Sequence, residues 1–296
     1  MPKLTVSRHG LTAAIPPRRD PMTPIGGLRG EVAGWSQAAT RRNTGFLRTI
    51  DERKLSGAGV ALTLTLRECP PTPQAWHALR KAWIERMRRA GMVRLHWVTE
   101  WQRRGVPHLH CALWFPDAYD IGGPLRAWVE LAEKYGAGLK GQHGRMIDGP
   151  VGWFQYLSKH AARGVKHYQR SSDSIPPAWK QKTGRVWGHS GEWVLQAPIA
   201  LHLEGREGDG GYFAFRRLVR SWRVADARSS GDLWRLRQAR QMLQANNRPA
   251  SEVRPVSEWV SQAEALMFLG NLAERGYLVR QWGAGGEPPA DDRSPS

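Results

Sequence analysis

The chain has 296 residues, 41% hydrophobic and 24% charged, with a formal charge of +18 at pH 7 and a sequence pI near 10.8. That length suits one large domain or two small ones, and no stretch approaches the roughly 20 apolar residues a membrane span requires. The first residues lack the apolar core of a signal peptide, and two cysteines, Cys69 and Cys111, cannot build a disulfide framework. Integral membrane and disulfide-scaffold classes are therefore excluded, and a reducing cytoplasm is expected.

So large a positive charge points to a polyanionic partner, nucleic acid first and an anionic membrane surface second. With 35 arginines against nine lysines, base composition of the coding sequence offers a bland alternative. The distribution argues against it: residues 1–58 carry +6, residues 59–190 carry +11 and residues 191–296 carry only +1. A basic surface toward the N-terminal side is expected.

Residues 1–57 read as a basic, partly flexible arm, with Pro16-Pro17-Arg18-Arg19 and Gly26-Gly27 as its irregular part and a helical stripe from Trp35 to Leu55. Val60 to Leu66 alternates as a buried strand, and Thr72 caps a helix to Arg89 whose apolar face is Trp76, Leu79, Trp83 and Met87. Val93–Trp101 and His108–Phe115 form a hairpin across Gln102–Val106. Helices follow at Leu125–Tyr135 and Val151–Arg163, flanking a glycine-rich excursion with room for a strand. Trp187 and Trp193–Leu195 suggest a further hairpin. This order fits an α+β fold, an antiparallel split βαβ, ferredoxin-like sheet with helices on one face. The expected domain spans residues 58–200. Residues 201–296 read as a mainly helical region, with helices at Asp232–Asn246 and Ser257–Arg275 and a polar tail from Glu287.

Within the hairpin, His108 and His110 are two apart and share one strand face, while Leu109 and Cys111 turn to the other. A turn centred on Arg104 sets Glu100 opposite His108 and Val98 opposite His110. One carboxylate and two imidazoles then converge, a partial shell suited to Mg²⁺, Mn²⁺ or another first-row divalent ion with positions left open. A register slip of one residue would abolish the cluster, and an isolated His-x-His is commonly just an edge pair. Arg103 and Arg104 stand at the turn, where a DNA phosphate could be met. His96 shares the face of Glu100 and is either a spare ligand or a satisfied core histidine.

Tyr156, Lys159 and His160 share a helix face by their three- and four-residue spacing. At pH 7 about one phenol in a thousand is ionised, so phenolate attack costs about 4 kcal/mol unless a cation or metal lies close. Alone, such a pair is commonly an amphipathic surface.

The strand at 60–66, Glu100 seven residues before His108-Leu109-His110, and Tyr156-x-x-Lys159 together resemble, in order and spacing, the three motifs of HUH-superfamily rolling-circle replication initiators, especially those of filamentous phages and small plasmids. The resemblance covers residues 58–195. It implies histidines on a central strand with the tyrosine helix beside them, a divalent ion on Glu100, His108 and His110, attack by Tyr156, and charge stabilisation by Lys159. It implies nicking of single-stranded or locally melted origin DNA with a 5′-phosphotyrosine link. Position 160 is histidine where some members carry a second tyrosine, and Tyr168 is too far along one helix to replace it, so a single-tyrosine mechanism is expected. No G-x-x-x-x-G-K-[ST] motif occurs, so unwinding and synthesis would fall to a host helicase and polymerase. Most of the 15 tryptophans, Trp76, Trp83 and Trp97 among them, are expected in the core. Two rivals stand beside this reading: a non-catalytic basic repressor or packaging protein, and a metal-dependent hydrolase acting through water.

Overall fold

The computed structural model describes residues 2–15, 32–117, 119–162, 169–204, 210–242 and 255–281, of which 159–162 and 203–204 by their backbone alone. Two compact units result, residues 26–195 and residues 1–25 with 196–296.

The first residues are not an arm. Lys3–Ser7 (β1) and Gly10–Ala14 (β2) pair antiparallel as a hairpin, and Leu4, Val6, Leu11 and Ala13 are buried. Their period-2 alternation is the strand signal, easily overlooked beside the proline-rich residues that follow. Pro16–Gly27, the irregular part of the expected arm, lies outside the described residues.

Ser36 caps α1 (Gln37–Thr49), its hydroxyl accepting from the Ala39 amide. β3 (Ala58–Leu64) leads to α2 (Pro73–Arg89), capped by Thr72, whose Oγ1 accepts from the Ala75 amide at 3.1 Å. Trp76, Leu79, Trp83 and Met87 are buried on its inner face, as the 3.6-residue period predicts. β4 (Arg94–Trp101) and β5 (Pro107–Phe115) are buried along their whole length, and α3 (Gly122–Leu131), β6 (His143–Met146) and α4 (Pro150–Ala162) follow. The last strand of the unit, β7 (Trp187–Gly191), pairs along β4. It does not hairpin with residues 193–195; Leu195 instead bridges Ile50.

The strand order is β6-β3-β5-β4-β7, every neighbour antiparallel, with the His-Leu-His strand β5 at the centre. Helices cover both faces, not one. On one face, Trp76 and Trp83 of α2 meet the Trp128 ring of α3 edge-on at 5.8 and 6.1 Å, and Arg80 lies over Trp97. On the other, α1 sets Phe46 on His189 at 3.9 Å, and Phe154 of α4 lies near Trp114 and Trp193. A sheet buried on both sides explains why β4 and β5 read as apolar runs.

The second unit is also α+β, where the sequence suggested mainly helix. β8 (Ile199–Glu204), α5 (Gly210–Ser229), α6 (Leu233–Gln241), β9 (Val256–Glu258), α7 (Gln262–Glu274) and β10 (Leu278–Gln281) join the N-terminal hairpin in a sheet of order β10-β8-β1-β2-β9. Tyr212, Phe215 and Val219 of α5 are buried with Phe268 and Leu272 of α7. The helix expected from Ser257 begins only at Gln262, where Ser261 and Glu264 form a reciprocal capping box. Residues 243–246, expected to extend α6, and the polar tail from Glu287 lie outside the described residues.

Candidate metal centre and tyrosine helix

The β4–β5 ladder has the register that a turn centred on Arg104 dictates: Glu100 faces His108 and Val98 faces His110. Gly105, at φ +78°, supplies the left-handed residue of that turn. Because the sheet is covered on this face, Glu100 is fully buried and His108 and His110 are each 4% exposed.

The two imidazoles converge, with His108 Nε2 and His110 Nε2 at 2.9 Å. His110 Nε2 is 3.6 Å from Glu100 Oε2, and one donor atom from each of the three residues lies within 4.8 Å of the others. Ligands held at about 2.1 Å around one octahedral ion stand about 3–4 Å apart, so this spacing fits a single metal ion. One carboxylate oxygen and two imidazole nitrogens suit a first-row divalent cation or Mg²⁺. The residues present thus form a cluster able to hold a metal ion.

Its surroundings orient the donors. Thr63 Oγ1 on β3 lies 2.9 Å from His110 Nδ1, which leaves Nε2 turned to the cluster. Arg170 Nε donates to Glu100 Oε1 at 2.7 Å, both groups being at most 1% exposed. The guanidinium also stacks on Trp35 at 4.0 Å, and Trp35 Nε1 donates to the Thr99 carbonyl. Arg170 is thus the buried counter-charge that holds one Glu100 oxygen and leaves the other facing His110. Sequence reasoning missed Arg170 and Trp35, since no spacing ties them to the hairpin. Thr63 was within reach, because it alternates inside the strand that the register sets beside His110.

His96 is not a ligand. It is fully buried, with Nε2 2.8 Å from Asn43 Oδ1 on α1, and burial lowers its pKa to about 3. The neutral ring therefore donates to Asn43. Cys111 faces away from the cluster toward Arg80, and burial raises its thiol well above the usual range.

α4 brings Tyr156 to the cluster. Its ring centroid is 6.0 Å from that of His110 at an interplanar angle of 80°, and Trp153 stacks against it at 5.2 Å. Phe154 and Leu157 are buried and fix the helix on the sheet, whereas Tyr156 is 38% exposed. The phenol thus sits between a buried donor cluster and solvent. Arg170 Nη2 also donates to the Leu157 carbonyl at 3.4 Å, so one side chain touches both Glu100 and the tyrosine helix. Lys159 lies three residues further along α4; its side chain is outside the described residues, as is Tyr168. At the β4–β5 turn Arg103 and Arg104 are exposed, and Arg104 donates to Gln102 Oε1 and the Leu66 carbonyl at 2.7 and 2.6 Å.

The family model for replication-associated protein ORF2/G2P matches residues 59–189, the span that carries the cluster and α4. The chain belongs to this replication-associated protein family. It is 57% identical over 282 residues to a protein of Xylella fastidiosa strain 9a5c provisionally named as a replication protein, covering 94% of this chain and 99% of the relative. A protein of the Temecula1 strain with a like name is 57% identical over 264 residues, 88% of this chain and 100% of the relative. The replication-associated protein G2P of Pseudomonas phage Pf3 is 46% identical over 273 residues, covering 91% and 96%. No solved structure matches. Among the described residues, no helix is long and apolar enough to cross a membrane.

Proposed function

We propose that the chain initiates rolling-circle replication as an HUH-type endonuclease, nicking single-stranded or locally melted origin DNA through Tyr156. The observation that carries this reading is the Tyr156 ring 6.0 Å from His110, beside the Glu100–His108–His110 cluster. Glu100, His108 and His110 would hold the divalent ion, Mg²⁺ or Mn²⁺. When bound, such an ion supplies polarisation of a non-bridging phosphate oxygen, worth several kcal/mol of charge stabilisation.

The phenol oxygen of Tyr156 attacks the phosphorus as it gives up its proton. A bond from that oxygen to phosphorus forms, the bond to the 3′ oxygen breaks, and the leaving oxygen takes up a proton to become the 3′-hydroxyl that primes synthesis. Trp153, stacked on the ring, restricts its swing. Lys159 carries charge on the same helix face, and Arg103 and Arg104 at the turn meet backbone phosphates. The 5′-phosphotyrosine retains the ester for rejoining. A host helicase and polymerase supply unwinding and synthesis, in the cytoplasm of the bacterial host.

The test is incubation with labelled single-stranded origin DNA and Mn²⁺. An SDS-resistant adduct is expected, lost with EDTA and in Tyr156→Phe. An adduct that persists in Tyr156→Phe removes the tyrosine from its role, and free ends without adduct establish hydrolysis by water. His108→Ala abolishes cleavage while DNA affinity stays within a few fold, because phosphate contacts are distributed.

A further inference from the structure

A concavity of about 250 Å³ opens at one end of the β6-β3-β5-β4-β7 sheet. Its walls are the residues just after β3, the β4–β5 turn and the glycine-rich segment 136–142. Arg67, Arg104 and Lys140 line it, and among the described residues no acidic one does. Elsewhere in this unit Arg86 and Arg126 pair with Glu130 and Asp120, but none of these three cations has a carboxylate partner among the described residues. Three cations without a carboxylate partner around one small bowl make it a place that favours an anion.

The bowl is preformed. Gln142 Oε1 accepts from the Thr65 amide at 2.7 Å, and its Nε2 donates to the Thr65 and Gly138 carbonyls at 3.2 and 2.9 Å. Thr65 Oγ1 donates to the Gly141 carbonyl at 2.7 Å, and Arg104 is tied to Leu66. A Cβ on Gly138 would meet nothing within 4 Å, so the bowl stays open above it. Its position is informative. Thr65 follows Thr63, the residue beside His110, by two places, and Arg104 lies between Glu100 and His108. The bowl and the metal-ligand cluster therefore lie toward the same end of the sheet.

We propose that this bowl binds a phosphate group of the DNA backbone, a contact that holds the strand independently of the metal-ligand cluster. The inference rests on the chain being a DNA-binding replication protein and not on the cleavage chemistry.

The experiment measures binding of the full chain to a labelled single-stranded oligonucleotide by anisotropy over a range of KCl. Arg67→Gln and Lys140→Gln should each reduce the slope of log affinity against log salt, and the two together by about 0.7, the one phosphate contact that the bowl makes. Gly138→Glu places a carboxylate in the bowl at a residue of ordinary extended φ, −136°, and should weaken binding about tenfold, while Gly138→Ala stays within about twofold. Arg89→Gln, at the exposed end of α2, removes the same charge and should match wild type. Unchanged slopes in both bowl variants, or an equal loss in Arg89→Gln, would overturn the proposal. Inorganic phosphate that binds wild type but not Gly138→Glu, with oligonucleotide binding untouched, would also overturn it by making the bowl a site for free anions. Mn²⁺ binding followed by electron paramagnetic resonance should be the same in wild type and in all bowl variants; its loss would show damage to the cluster and overturn independence. Absence of a covalent adduct with wild-type protein refutes the cleavage reading alone, because the salt slopes are read without cleavage.

Discussion

Arg170 shows how one side chain can govern a site it does not complete. Its charge balances Glu100 inside a face of the sheet where neither group meets water. Removing one member of such a pair leaves the other charge buried and alone, which costs about 3–5 kcal/mol. Arg170→Ala should therefore lose about that much stability in denaturant unfolding and weaken Mn²⁺ binding, because the freed carboxylate no longer has a fixed oxygen. A loss below about 1 kcal/mol with unchanged Mn²⁺ binding would refute this role. At this scale the site was partly legible. His108 and His110 came from strand alternation and Glu100 from the register that the short turn sets, both local rules. Arg170 sits 70 residues from its partner, and only the tertiary fold brings them together.

At the scale of elements, α1 is held on the sheet by uncharged histidines. Asn43 accepts from neutral His96, and Phe46 stacks on His189, whose pKa burial also lowers. His96 titrates near 6.5 when unfolded and at about 3 when folded. Above pH 6.5 neither state binds the proton and stability is indifferent to pH on this account. Below it, the unfolded chain takes up a proton that the folded one refuses, and stability falls by up to about 1.4 kcal/mol per pH unit until about pH 3. Unfolding at pH 7.5 and at pH 5 should differ by about 2 kcal/mol through His96, with a smaller difference in His96→Gln; equal differences would refute the assignment. The helix itself was legible from its apolar stripe, and the hairpin register from its turn. The pairing of β7 with β4 was not, since a strand reveals its own period but never its partner across 85 or more residues.

For the whole molecule, the largest departure from expectation is that both ends of the chain build one sheet. β1 and β2 are interior strands of the order β10-β8-β1-β2-β9 and contribute buried Leu4, Val6 and Leu11. Each such side chain is worth about 1.5–3 kcal/mol on burial. Deleting residues 2–14 should therefore unfold this unit, read as loss of amide-exchange protection in α5 and α7, while β4 and β5 keep theirs. Unchanged protection in α7 would refute it. The sequence concealed this because the hairpin is short, carries Lys3 and Arg8, and precedes a proline-rich stretch. The charge asymmetry has a corresponding form: the +11 of residues 59–190 falls within the span that the family model matches.

The pairing of β1 with β8 also sets an order on biosynthesis. Ile199 leaves the ribosome some 185 residues after Ala14, which at about 5–20 residues per second is on the order of 10–40 seconds. During that interval every strand of the β6-β3-β5-β4-β7 sheet can emerge and pair, while the hairpin waits with Leu4, Val6 and Leu11 exposed. The hairpin, translated before β3, thus belongs to the sheet that closes later, and the nascent chain carries an unprotected apolar ribbon while the intervening residues are made.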